Sequence, residues 1–68
     1  MLQQYTFKIS AERKNIKDFS IPVSTLGYSR HRAEQGAISD FLSNFPDTVG
    51  VGSIKLVRVE TVQAVASN

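Results

Sequence analysis

The sequence predicts a small α+β domain in which one helix lies on one face of a three-stranded, antiparallel-type sheet. Three observations lead to this fold class. Residues 29–45 show a helical period, residues 2–10 and 19–23 alternate between apolar and polar side chains, and residues 53–61 are rich in β-forming side chains. The predicted order of elements is therefore strand, strand, helix, strand.

The helical segment has a clear beginning and end. Its apolar residues recur at spacings that gather them into one stripe: Ala33, Ala37, Ile38, Phe41, Leu42 and Phe45. Ser29 is a good N-cap, because its hydroxyl can accept a hydrogen bond from a free backbone N–H, and Pro46 ends the helix. Gly36 costs roughly 1 kcal/mol relative to alanine in mid-helix, so something should compensate for it.

The first two strands are predicted to form a hairpin. Their apolar residues share one face of each strand: Tyr5, Phe7 and Ile9, then Phe19, Ile21 and Val23. Between them, residues 11–17 form a charged turn in which Asn15 suits left-handed geometry. Pro22 cannot donate to a neighbouring strand, which places strand two at an edge. Residues 24–28 are read as a connector in which Gly27 is free to take a positive φ.

The third strand follows a loop at residues 46–52 and is the longest. Its alternation slips, since Ile54 and Leu56 share one face while Val57 and Val59 share the other. Either a bulge near Leu56 or burial on both faces explains this slip. A right-handed crossover through the helix gives the sheet order 2-1-3, with the helix on the apolar face of strands one and two. Strand three is then a long open edge, which invites pairing with a second copy.

Length and composition bound the class of protein. The 68 residues make one domain, 1–68, with a tail at 62–68 that continues the strand, frays or pairs with another chain. The small core favours a homodimer. The absence of cysteine favours the cytoplasm, and the sequence has neither a membrane span nor a signal-peptide layout. A net charge of +2 permits a nucleic-acid partner without requiring one.

The residues that could carry catalysis are few and scattered. The chain has one histidine, His31, and no cysteine, and its acidic residues form no group along the sequence. Gly50 and Gly52 precede a strand, whereas a phosphate loop precedes a helix. We therefore expect no enzyme, no metal and no cofactor.

Two basic groups are candidate sites for a partner or an anion. In the first helical turn, Arg30, His31 and Arg32 follow Ser29, where backbone N–H groups and guanidinium groups can meet a phosphate or a carboxylate. The alternative is a solvated helix start with an ion pair between Arg30 and Glu34.

The second basic group lies in the predicted hairpin turn and contains Arg13, Lys14 and Lys17. It binds phosphates or an acidic protein, or it is an ordinary solvated turn. On the outer helix face, Gly36, Ser39 and Ser43 line up as a smooth strip where a second chain can dock, unless that face is simply wet.

These features predict a non-catalytic binding module that acts on another protein as an adaptor or inhibitor. The alternative is a nucleic-acid-binding accessory protein that contacts phosphates through the two basic groups. Size and element order are those of many short accessory proteins of phages and mobile elements, an analogy that rests on shape alone.

Overall fold

A computed structural model describes residues 1–62 of the protein. Its elements are the strands β1 (Gln3–Arg13) and β2 (Ile16–Gly27), the helix α1 (Arg30–Asn44) and the strand β3 (Thr48–Thr61). β1 lies in the centre and pairs antiparallel with both neighbours, in the order β2-β1-β3. The predicted fold class and sheet order are confirmed. The tail predicted at 62–68 falls, except for Val62, outside the described residues.

The hairpin turn is shorter than predicted. β1 extends to Arg13 and β2 begins at Ile16, so only Lys14 and Asn15 form the turn. No described residue has a positive φ, so the left-handed geometry expected at Asn15 is wrong. Instead, the register between the two strands shifts after Ala11, as happens where an extra residue bends a strand.

β2 and β3 also take in residues that were expected to be loops. β2 continues to Gly27 and β3 begins at Thr48, so the predicted connector at 24–28 and the predicted loop at 46–52 are mostly strand. Both segments pair with β1. Pairing supplies hydrogen-bond partners to residues whose own strand propensity is low, so the tertiary context overrides the local signal.

The helix forms where it was predicted. The Ser29 hydroxyl accepts a hydrogen bond from the backbone N–H of Arg32 at 3.3 Å, which confirms the N-cap. At the other end, the backbone N–H of Phe45 donates to the carbonyl of Phe41 at 2.9 Å.

The core lies between α1 and the central strand. Its buried residues are Tyr5, Phe7, Ile9 and Ala11 of β1 and Ala33, Ala37 and Phe41 of α1. The β2 residues Phe19, Ile21 and Val23 pack against them, as predicted. Burial of Phe7, Ile9 and Phe41 stabilises the fold by about 1.5–3 kcal/mol for each side chain.

Gly27 is needed for close packing rather than for its backbone freedom. Its φ is not positive, contrary to the prediction. A Cβ at this position would lie 3.0 Å from the Cβ of Ala33 and 3.2 Å from the Ala33 backbone. The absent side chain therefore lets the first turn of α1 lie against the end of β2.

β3 contains extra residues that have no partner in β1. The register shifts at three points, and the unpaired residues are Val49, Gly52 and Val57. At the last of these, Thr6 pairs with Arg58 while Phe7 pairs with Leu56, so of the two explanations left open for the slip in alternation, the structure shows the bulge near Leu56. The bulge at Val57 places Val59 on the same face as Ile54 and Leu56, which is the helix side of the sheet.

Candidate binding surfaces

The first turn of α1 presents the predicted basic cluster to solvent. Arg30, His31 and Arg32 are exposed, and the turn contains no acidic residue. Within residues 1–62 neither arginine takes part in an ion pair, so the expected pair between Arg30 and Glu34 does not form. The positive charge of this turn is therefore available to a partner.

Two large, exposed apolar side chains precede this cluster in the chain. Tyr28 is 67% exposed and Leu26 is 54% exposed. Leu26 pairs with Gln4, on the face of the sheet away from the helix. Sequence reasoning missed both residues because it assigned them to a connector, although continuing the alternation of β2 beyond Val23 would have put Leu26 on the open face. We call Leu26, Tyr28, Arg30, His31 and Arg32 the helix-start patch.

Arg13 is occupied within the fold. Its Nε donates to the two carboxylate oxygens of Asp47 at 2.9 and 3.2 Å. Its guanidinium carbon lies 4.7 Å from the ring centroid of Phe19 and 4.8 Å from that of Phe45. The hydrogen bond from Arg13 holds the pKa of the Asp47 carboxyl below its usual range. Its predicted role in binding a partner is untested, but its charge is already compensated inside the chain.

The other two residues of the hairpin cluster remain exposed. The backbone N–H of Lys14 donates to the carbonyl of Asp47 at 3.0 Å. The side chain of Lys14 takes no part in this hydrogen bond and is exposed. Lys17 lines an open cavity of about 470 Å³ together with Glu12 and Asp18. The walls of this cavity thus carry both signs of charge, which gives no preference for an anion.

The two predicted basic groups lie at opposite ends of the sheet. Arg30 follows closely on Gly27, which pairs with Gln3 at the start of β1, whereas Arg13 ends β1. With about 3.3 Å per residue, the length of β1 separates these ends by roughly 33 Å. One small ligand cannot contact both groups.

The strip predicted on the outer helix face is only partly there. Ser39 and Ser43 are exposed. Gly36, however, is half-buried, and a Cβ there would lie 3.4 Å from Oγ1 of Thr25. Its predicted position on the outer strip is therefore wrong, because α1 is rotated so that Gly36 borders β2. No observation tests the use of this strip as an interface.

A second apolar surface lies on β3. The helix packs against β2 and β1 and leaves most of β3 uncovered. Val57 is 60% exposed and Val59 is 41% exposed, while Ile54 and Leu56 are half-buried at the margin of the core. We call Val51, Ile54, Leu56, Val57 and Val59 the β3 flank.

The face of the sheet away from the helix carries hydroxyl groups and lysines. Lys8 of the central strand lies directly opposite Lys55 of β3. Like charges in this position repel each other by a few tenths of a kcal/mol or more. An anionic partner bound to the open face would relieve the repulsion between these two lysines.

Comparison with protein families, with curated proteins and with solved structures found no significant match to this chain. Within residues 1–62, no three His, Asp or Glu side chains are grouped closely enough to hold a metal ion. In the same part of the chain, no helix combines the length and the apolar character that crossing a membrane requires.

Proposed function

We propose that the chain is a non-catalytic binding module that acts in the cytoplasm by occupying a surface of another protein, as an adaptor or an inhibitor. The observation that carries the proposal is the helix-start patch, where two exposed arginines without an ion pair in residues 1–62 follow closely in the chain on an exposed leucine and an exposed tyrosine. Tyrosine and arginine are among the residue types most enriched at the energetically important positions of protein–protein interfaces.

The chemistry of the patch defines the partner. Arg30 and Arg32 have no ion pair to break within the described chain, so binding an acidic surface costs them no internal contact. Both residues are held on the first turn of a capped helix, and less conformational freedom is lost there than in a loop. The fitting partner is a protein with an acidic surface around an apolar recess that accepts Tyr28.

Nucleic acid is the second candidate, favoured by a different observation. Lys8 and Lys55 lie opposite each other on the open face, with Arg58 following on β3. A phosphate backbone laid across this face would relieve the repulsion between the lysines. Binding of that kind weakens with salt by a log–log slope of about −0.9 for each phosphate neutralised on duplex DNA.

The proposal is tested by capture of partners from host lysate, with and without nuclease treatment. We compare the wild type with Arg30→Glu/Arg32→Glu and with the matched control Lys14→Glu/Lys17→Glu, which reverses as many charges at the other end of the molecule. A protein partner should survive nuclease treatment, be lost with the first variant and be retained by the control.

Three other results would contradict the proposal. Loss of capture after nuclease treatment would favour nucleic acid. Loss with the control variant alone would move the site to the hairpin. Catalytic turnover that survives clean purification and disappears on a single substitution would replace the binding module by an enzyme.

A further inference from the structure

The two edges of the sheet differ in what they offer to another strand. β2 carries Pro22, which has no N–H to donate, and α1 packs over this side of the sheet. β3 lies at the opposite edge and contains no proline. Its outward backbone groups have no partner strand in residues 1–62, and such an edge binds another strand readily.

The bulges of β3 limit where pairing can occur. Extra residues at Val49, Gly52 and Val57 interrupt the regular spacing of the strand, and bulges of this kind discourage edge pairing. Beyond the last bulge, residues from Arg58 to Thr61 pair with β1 without a shift. Regular pairing at the open edge is therefore available around Val59.

The charged side chains in this stretch suit antiparallel pairing with the same stretch of a second copy. Arg58 and Glu60 lie on either side of Val59, and both are well exposed, at 63% and 53% of their side chains. Their Nε and Oε1 atoms are 3.2 Å apart within one chain. If two copies pair antiparallel about a twofold axis at Val59, Arg58 of each lies opposite Glu60 of the other.

The apolar surface points to the same arrangement. Val57 and Val59 are 60% and 41% exposed, and pairing about Val59 covers part of both. It also joins the β3 flanks of two copies into one apolar strip between their helices. A chain of 68 residues gains stability from this additional burial because its own core is small.

We infer that the protein forms a twofold dimer in which β3 pairs edge to edge with β3 of a second copy, in the register centred on Val59. This surface lies across the sheet from the helix-start patch, which stays exposed in both copies. The inference is therefore independent of the proposed function, and its test uses different residues.

Cysteine cross-linking tests the register directly, since the chain has no cysteine of its own. In Val59→Cys, the two introduced thiols face each other across the axis, where antiparallel Cα spacing of about 4.5–5.5 Å suits a disulfide. Val49→Cys is the matched control, because it lies on the same strand and is more exposed, at 67%. Under mild oxidation, Val59→Cys should form mostly covalent dimer and Val49→Cys should remain mostly monomer.

Charge reversal tests the same contact without oxidation. Arg58→Glu and Glu60→Arg each place like charges opposite one another twice in the dimer, and each should raise its dissociation constant about tenfold. The combined swap restores opposite charges and should return the constant to within about threefold of wild type. Light scattering over a dilution series measures all four proteins.

Several outcomes would overturn the inference. One is a wild-type protein that remains monomeric at the highest concentration reached. Another is cross-linking of Val49→Cys as fast as Val59→Cys. A third is a dimer whose dissociation constant is unchanged by Arg58→Glu and by Glu60→Arg. Loss of dimer with intact capture by the helix-start patch would leave the proposed function standing.

Discussion

The Nε of Arg13 lies 2.9 Å from Oδ1 of Asp47 and ties the end of β1 to the segment between α1 and β3. The same guanidinium lies over the rings of Phe19 and Phe45. Arg13 thus connects the hairpin, the end of the helix and the start of β3 at one point. Since the ends of three elements meet there, this contact closes one end of the domain.

We expect Arg13→Ala to lower the free energy of unfolding by about 1–2 kcal/mol, because the contacts with both rings are lost together with the packing of the side-chain stem. The matched control is Lys14→Ala, whose exposed side chain should contribute less than about 0.5 kcal/mol. Urea denaturation measures both. Equal stabilities of the two variants would show that the contact contributes nothing.

The Asp47 carboxylate makes stability depend on pH. Its pKa in the folded protein lies below the ordinary aspartate value of 3.8, mainly because Arg13 donates a hydrogen bond to it. The unfolded chain then binds more protons in this range, so the stabilisation is complete above about pH 5 and is lost as the pH falls through the folded-state pKa. The difference in denaturation midpoint between wild type and Asp47→Asn should shrink towards zero below pH 3.8. A difference that stays constant with pH would refute this.

Replacing two glycines by alanine should change the stability of the fold in opposite directions. Gly27→Ala brings a methyl group to 3.0 Å from Ala33 and should destabilise the fold by about 1–3 kcal/mol. Gly36→Ala meets only the Thr25 hydroxyl, at 3.4 Å, and should stabilise it by about 0.5–1 kcal/mol, since alanine is the better helix former. Thermal unfolding of both variants decides this, and a gain at Gly27 or a loss at Gly36 would contradict the packing described.

A hydrogen bond between a buried and an exposed hydroxyl group offers a test on the open face. Thr6 is only 6% exposed, and its Oγ1 lies 2.9 Å from Oγ of Ser24. Ser24→Ala leaves the Thr6 hydroxyl without this partner and should cost about 1 kcal/mol. Combining it with Thr6→Val removes both polar groups and should recover most of that loss. Ser20→Ala is the control, because its bond to Ser10 is exposed. A double variant less stable than Ser24→Ala would contradict this account.

Reversal of the basic first turn should separate stability from binding. Arg30→Glu/Arg32→Glu places acidic side chains at a helix start that now has none, which favours the helix dipole by about 0.3–1 kcal/mol for each charge. We expect the fold to become slightly more stable, as circular dichroism during urea titration will report. A marked loss of stability would mean that the arginines support the fold.

The elements whose signal is internal to a short stretch could be predicted. The apolar stripe and the cap at Ser29 specify α1, because helical hydrogen bonds and caps are local. Of that stripe Ala33, Ala37 and Phe41 are buried, whereas Leu42, predicted to be buried with them, is 43% exposed. The alternation of β1 and the proline of β2 together indicated the sheet order. The slip in β3 indicated either a bulge near Leu56 or burial on both faces, and only the pairing with β1 decided for the bulge.

The candidate site was only half predicted. Arg30 and Arg32 were named because charge is visible in a sequence, whereas Leu26 and Tyr28 were missed because exposure is not. Arg13 was grouped with Lys14 and Lys17 by proximity in the chain, yet its partner is Asp47, 34 residues away.

The sequence by itself thus determined the helix, its buried stripe and the order of strands, all of which follow from periodicity and local backbone chemistry. Only the tertiary structure decided how far the strands extend, how α1 is rotated so that Gly36 meets β2, and which side chains are left uncovered. These properties depend on pairing and packing between residues far apart in the chain, where hydrogen bonds from β1 and the close approach of Gly27 to Ala33 outweigh the preferences of each segment.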